Sequence, residues 1–135
     1  MSDRCYAEVV CRKEDAGQFK DMGFKVSDKG RIRETVILVD YEADYGHSDE
    51  LPRDIPYYGW HGAGANYGPQ VFACDGKEYA EAETMNDGDL AVCVSEKGRL
   101  DKQMLKWARE YQELLRRVKE ALKKKGSARR RAKDG

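Results

Sequence analysis

The residues best suited to chemistry lie between Tyr41 and Tyr67, where six of the thirteen aromatic residues occur together with both histidines. Tyr and Trp provide large contact areas at low entropic cost, and binding surfaces are enriched in them. Acidic residues are interleaved with these aromatic residues. The pattern predicts a recognition surface, formed by Tyr57, Tyr58, Trp60, His61, Tyr67, Asp44, Asp49 and Glu50. An alternative interpretation is that the same aromatic side chains fill a small core of their own.

Metal binding is not supported by the spacing of the two histidines. His47 and His61 have Asp44 and Asp49 nearby, but the sequence has no His-x-x-His, His-Glu-x-x-His or paired Cys/His motif. Acidic residues in such a segment are usually solvated. We therefore predict no metal site.

Nucleotide binding and cysteine catalysis are also poorly supported. The glycines of residues 59–64 do not follow Gly-x-Gly-x-x-Gly, and the acidic residues around them would repel a phosphate. A nucleophilic Cys11 or Cys74 would need His61 to approach from a distant segment. We predict no catalytic residue and no cofactor.

The four cysteines, Cys5, Cys11, Cys74 and Cys93, all lie in apolar segments that are typical of strands, without Cys-x-x-Cys spacing. The first residues show no apolar export signal, and no apolar run approaches the roughly 18 residues that a membrane span needs. Buried, reduced thiols are expected in such a chain. The sequence therefore predicts a cytoplasmic protein that does not enter a membrane.

Charge is divided along the chain, although the formal net charge is zero. Residues 1–98 contain 11 Lys and Arg against 20 Asp and Glu, a net charge of −9. Residues 99–135 contain 14 Lys and Arg against 5 Asp and Glu, a net charge of +9. The protein is thus expected to present surfaces of opposite sign to its partners.

Several elements should position these residues. The alternation of side chains between two faces predicts a strand over Cys5–Cys11, with Tyr6, Glu8 and Val10 on the face opposite Cys5 and Ala7. A short helix over residues 13–22, ended by Gly23, should follow. Further strands are predicted over residues 24–26, 32–41 and 90–94, and Asp75-Gly76 predicts a hairpin between residues 70–74 and 77–81. The segment 42–69, which holds all three prolines, is predicted to be a long irregular loop.

The C-terminal region predicts an amphipathic helix over residues 100–124, ended by Gly126. Its apolar seam steps by four and three residues through Leu100, Met104, Trp107, Tyr111, Leu114, Val118 and Ala121. A helix of that length, about 37 Å at 1.5 Å per residue, would extend beyond the end of the sheet. Val118, Ala121 and Leu122 are therefore candidates for contact with a second copy or another protein.

The basic end of the chain has a separate interpretation. Lys and Arg can contact a nucleic-acid backbone without sequence preference, and the candidates are Arg116, Lys123, Lys124, Lys125, Arg129, Arg130 and Arg131. The same residues can also make the end soluble or pair with the acidic body. No aromatic residue lies in the tail to stack on a base.

Taken together, the sequence predicts an α+β protein with a mostly antiparallel sheet of four or five strands, a short helix and a long C-terminal helix. An acidic body should occupy residues 1–98, the basic helix residues 99–125, and a flexible basic tail residues 126–135. The predicted function is a non-enzymatic adaptor or inhibitor that binds a basic protein surface through the aromatic loop. The alternative is a small nucleic-acid-associated protein that uses the basic helix and tail.

Overall fold

The computed structural model describes residues 4–44, 50–62, 69–83 and 102–134, with residues 4, 44, 83 and 124–134 described by their backbone alone. These residues form an α+β structure with one antiparallel sheet of six strands in the order β2-β3-β1-β4-β5-β6. The fold class is confirmed, with one strand more than the upper limit of the prediction. The strands are β1 (Arg4–Arg12), β2 (Lys25–Lys29), β3 (Thr35–Asp44), β4 (Pro56–His61), β5 (Gln70–Asp75) and β6 (Tyr79–Glu83).

The additional strand is β4, which lies inside the segment predicted to be irregular. It pairs with β1 on one side and β5 on the other, so it occupies the middle of the sheet. Gly59 faces the backbone of β1 there: a Cβ at this position would lie 2.1 Å from the carbonyl oxygen of Glu8. Glycine is thus required for the close approach of the two strands.

The predicted helix after β1 is shorter than expected. A 3₁₀ turn over Lys13–Asp15 leads into α1 (Ala16–Lys20). Gly23 has a φ of 107°, and the Phe24 N–H donates to the carbonyl oxygen of Phe19 at 3.1 Å. This arrangement is a Schellman motif, so the predicted glycine cap is confirmed.

The sheet has a hydrophobic cluster on each face. On the first face, α1 and the segment before β4 cover residues such as Val9, Leu38 and Phe72. On the second face, α2 (Lys102–Asp134) packs on β4, β5 and β6. The side chains that α2 buries there are Ala108, Tyr111, Leu114, Leu115, Val118 and Leu122.

The buried face of α2 differs from the predicted seam. Trp107 is 46% exposed, whereas Ala108 is fully buried. Val118 and Leu122 are buried within the chain, so the apolar surface that suggested a dimer along these positions is already covered. The helix also continues through Gly126 to Asp134, where the sequence predicted a helix end and a flexible tail.

Edge strand β2 differs in character from the rest of the sheet. All five of its residues are exposed, three of them charged, and its pairing with β3 shifts register between Val26 and Asp28. A charged, bulged strand of this kind is a poor template for further pairing.

The β5–β6 turn is confirmed and is fastened to α2. The carboxylate of Asp75 accepts the N–H groups of Lys77 and Glu78, and Arg117 reaches Asp75 at 3.5 Å and Glu78 at 2.8 Å. Burial acts to raise the pKa of Asp75, but these N–H donors and the Arg117 guanidinium outweigh it and hold the pKa below its ordinary value.

Asp75→Asn is expected to destabilise the protein at neutral pH and to have a smaller effect in acid. A carboxylate whose pKa is lower in the folded state contributes stability above its unfolded pKa and loses it as the pH falls through the folded pKa. Urea unfolding of both proteins from pH 7 to about pH 2 checks this, since acid protonates the Asp75 carboxylate. The exposed residue Asp54 supplies the control Asp54→Asn, and an Asp75→Asn effect equal at every pH would contradict the assignment.

Candidate functional site

An aromatic and acidic cluster lies on the second face of the sheet, on β1, β3 and β4, and its Trp60 also packs against the hydrophobic cluster under α2. Tyr6 and Glu8 share this face of β1, and Glu8 pairs directly with Trp60 of β4. The Tyr6 hydroxyl donates to Glu8 Oε1 at 3.3 Å, and Trp60 Nε1–H donates to Glu8 Oε2 at 3.0 Å. The half-buried carboxylate is thus held between two aromatic side chains.

Tyr41 of β3 lies in the same cluster, beside a β-bulge. Val39 pairs with Glu8, and Tyr41, two residues further along β3, shares that face by the alternation of the strand. The pairing of β1 with β3 shifts register between Cys5 and Ala7, and the Glu42 N–H donates to Asp40 Oδ1 at 3.0 Å. Tyr41 is 75% exposed, and its ring centroid lies 5.4 Å from that of Tyr6.

These four residues, Tyr6, Glu8, Tyr41 and Trp60, are named the aromatic–acidic patch. The ring centroids of Tyr6 and Trp60 lie 5.2 Å apart, so the Tyr6 ring contacts both Trp60 and Tyr41. Partial burial, with the neighbouring Glu8 charge, raises the pKa of Tyr6, which therefore remains a neutral donor. Within the described residues no Lys, Arg or His forms an ion pair with Glu8, so its negative charge has no cation partner.

Tyr57 and His61 do not belong to a surface, contrary to the prediction. Tyr57 is fully buried, and its hydroxyl donates to the carbonyl oxygen of Pro52 at 2.6 Å. His61 is 1% exposed, with Nδ1 3.2 Å from the Gly62 carbonyl oxygen and Nε2 2.9 Å from Gln70 Oε1. Both side chains point to the first face of the sheet, because they alternate with Tyr58 and Trp60 along β4.

The remaining predicted partner-binding residues are dispersed. Tyr58 is half-buried among residues that pack on α2, with Lys119 Nζ 5.3 Å from its ring centroid, and Glu50 is exposed before β4. Asp44 ends β3 and is described by its backbone, whereas Asp49 and Tyr67 lie outside the described residues. Trp60 alone of the predicted set belongs to the patch.

The basic residues predicted to contact nucleic acid are partly paired within α2. Arg116 forms an ion pair with Glu113 at 2.7 Å, and Lys123 one with Glu120 at 3.6 Å. Both pairs are exposed to solvent, where such interactions contribute little stability. The backbone of α2 also carries the other candidates, Lys124, Lys125, Arg129, Arg130 and Arg131.

The cysteines are placed for packing rather than for nucleophilic chemistry. Cys11 and Cys74 both pair with Tyr57, whereas His61 is at the other end of β4, roughly 13 Å away at 3.3 Å per residue. Burial, with the nearby Asp15 carboxylate, raises the pKa of Cys11 to about 12, and burial also raises the pKa of Cys74. Neither thiol is a thiolate at neutral pH.

Among the described residues, no group of three or more His, Cys, Asp or Glu side chains is arranged to hold a metal ion. His47, the other histidine of the chain, lies outside the described ranges. Of the helices described, none is long and apolar enough to cross a membrane. Comparison of the chain with protein families, curated proteins and solved structures finds no match.

Proposed function

We propose that this chain is a non-enzymatic interaction protein, an adaptor or inhibitor, that binds a basic protein surface through the aromatic–acidic patch. The observation that carries the proposal is an exposed aromatic ring, Tyr41, in contact with Tyr6, whose hydroxyl donates to Glu8. The Glu8 carboxylate has no cation partner among the described residues. Aromatic residues at the centre of an interface supply most of its binding energy.

Charge supports the same kind of partner. The net charge of −9 on residues 1–98 would attract a basic protein and raise its rate of association. Exposed Glu42 follows Tyr41 in the bulge of β3. Binding should therefore weaken as the salt concentration rises.

The test is capture of a partner from native cell extract on the immobilised full-length protein. Tyr41→Ala and Glu8→Gln should each reduce capture of the same basic protein by about tenfold or more, as expected for central interface residues. Trp107→Ala is the matched control, because Trp107 is an exposed aromatic residue on α2 outside the patch. Retention of the partner by both patch variants would contradict the proposal.

The second candidate function, nucleic-acid binding, uses the other end of the molecule. It is favoured by the continuation of α2 through the Arg129-Arg130-Arg131 run, which extends the basic helix. If nuclease treatment abolishes capture, or if replacing these three arginines by glutamine does so while Tyr41→Ala does not, this second function is supported instead.

A further inference from the structure

The protein contains an internal example of an arginine stacked on a tyrosine whose hydroxyl donates to a glutamate. In β6, the Tyr79 hydroxyl donates to Glu81 Oε2 at 3.0 Å. Arg53 lies over the Tyr79 ring, with its Cζ atom 3.6 Å from the ring centroid. An arginine stacked on an aromatic face combines cation–π attraction with van der Waals contact.

The same spacing recurs in β1, where no arginine occupies it. The Tyr6 hydroxyl donates to Glu8, two residues further along the strand, just as Tyr79 donates to Glu81. Within the described residues, no cation lies over the ring of Tyr6, Tyr41 or Trp60. Among the described residues, the stacking that Arg53 makes on Tyr79 therefore has no counterpart on the rings of the aromatic–acidic patch.

We propose that the patch binds the guanidinium group of an arginine on the partner protein, an inference that rests on the proposed function. The guanidinium stacks on the exposed ring of Tyr41 and donates two N–H groups to the Glu8 carboxylate. Each Glu8 oxygen accepts one neutral hydrogen bond and retains a lone pair, so the carboxylate can accept these N–H groups as well.

The shape of the patch favours arginine over lysine. The Tyr6 ring contacts those of Tyr41 and Trp60, with centroid distances of 5.4 and 5.2 Å, and Tyr41 is 75% exposed. A compact ammonium group is strongly hydrated and loses more water on binding, whereas a planar, weakly hydrated guanidinium stacks on an aromatic face. Arginine is also the residue that recognises a carboxylate through two parallel hydrogen bonds.

The part of α2 that contacts Arg12 lies far from the patch. Arg12 Nη2 donates to the carbonyl oxygen of Ala121 at 3.5 Å, which places this part of α2 at the Arg12 end of β1. Tyr6 lies near the other end of the strand, roughly 20 Å away at 3.3 Å per residue. From Ala121 the helix continues to Asp134. The contact of Arg12 with Ala121 therefore lies at the opposite end of β1 from the patch, which supports an occupant from a different protein.

The test is a titration of the full-length protein with a blocked peptide of alternating glycine and arginine. The reporter is the NMR signal of the Trp60 indole N–H, which lies against Glu8 and is distinguished from that of Trp107 by the variant Trp107→Phe. The arginine peptide should shift the Trp60 signal. The lysine version should bind about tenfold more weakly, and the citrulline version, which lacks the charge, should bind more weakly still.

Glu8→Gln should weaken binding of the arginine peptide by about tenfold or more, since it removes the charge that the guanidinium pairs with. Glu81→Gln is the matched control, because it changes a glutamate in the same hydrogen-bonding arrangement away from the patch. An unchanged unfolding midpoint for Glu8→Gln would show that the variant retains its fold.

Each contrary result overturns a defined part of the inference. Equal binding of the arginine and lysine peptides, or equal binding by a folded Glu8→Gln variant, would overturn arginine recognition. If the patch variants lose the captured partner but the arginine peptide does not shift Trp60, the proposed function stands and this inference falls. A Trp60 shift caused by raising the protein concentration, and removed by replacing Arg129, Arg130 and Arg131, would make a second copy the occupant.

Discussion

Gly59→Ala is expected to unfold the protein or to destabilise it by about 3 kcal/mol or more, the upper end of the cost of overpacking a core. The added Cβ would lie 2.1 Å from the Glu8 carbonyl oxygen and 3.0 Å from both Val9 Cα and the Phe72 ring. The backbone of β1 cannot move away, because β3 is hydrogen-bonded to its other side. Urea unfolding followed by circular dichroism measures the effect.

Gly62→Ala is the matched control, because Gly62 follows the same strand and its Cβ would meet nothing closer than 3.7 Å. This variant should remain within about 1 kcal/mol of the original protein. If the two variants were equally stable, the close pairing of β1 with β4 would be wrong. The position of Trp60 opposite Glu8 would then be wrong as well.

Tyr57→Ala is expected to cost about 3–5 kcal/mol of stability, as for other large aromatic residues removed from a core. Tyr57 is fully buried, and its ring centroid lies 5.2 Å from that of Phe19 and 6.2 Å from that of Phe72. Tyr57→Phe removes the hydroxyl alone and leaves the Pro52 carbonyl without this donor, at a cost of about 1–3 kcal/mol. Thermal and urea unfolding of both variants tests whether Tyr57→Ala loses more stability than Tyr57→Phe.

Tyr41→Ala separates a core role from a binding role. Because Tyr41 is 75% exposed, its removal should change stability by no more than about 0.5 kcal/mol. The sequence alone suggested Tyr57 as a binding anchor. That interpretation would regain support if Tyr57→Ala left the unfolding midpoint unchanged and abolished partner capture.

Most strands could be predicted because their signals are local. Alternation in residues 5–11 correctly placed Tyr6 and Glu8 on one face, and Asp75-Gly76 correctly marked a hairpin. The strand β4 could not be found in this way, because Gly59 and Pro56 are both unfavourable in strands. Gly59 is explained only by the approach of Glu8, a contact between residues distant in sequence.

The patch was missed for a related reason. The aromatic residues of the sequence segment 41–67 suggested a single surface, but alternation along β4 places Tyr57 and Trp60 on opposite faces of the sheet. The cluster also includes Tyr6, which comes from β1. The outward pair Tyr6 and Glu8 was the available signal, yet it gains meaning only when β1 is known to lie beside β4. Likewise, the burial of Ala108 in place of Trp107 on α2 depends on how closely the helix packs on the sheet.

The character of β2 bears on how this protein behaves when it is concentrated. Neighbouring molecules that meet at this edge would bring like-charged lysines together, and the register shift at Val26 would interrupt a continuous ladder between them. Intermolecular growth of the sheet into fibrils is therefore opposed on this side. Replacing Lys25 and Lys29 with β-branched apolar residues would remove that protection without touching the core.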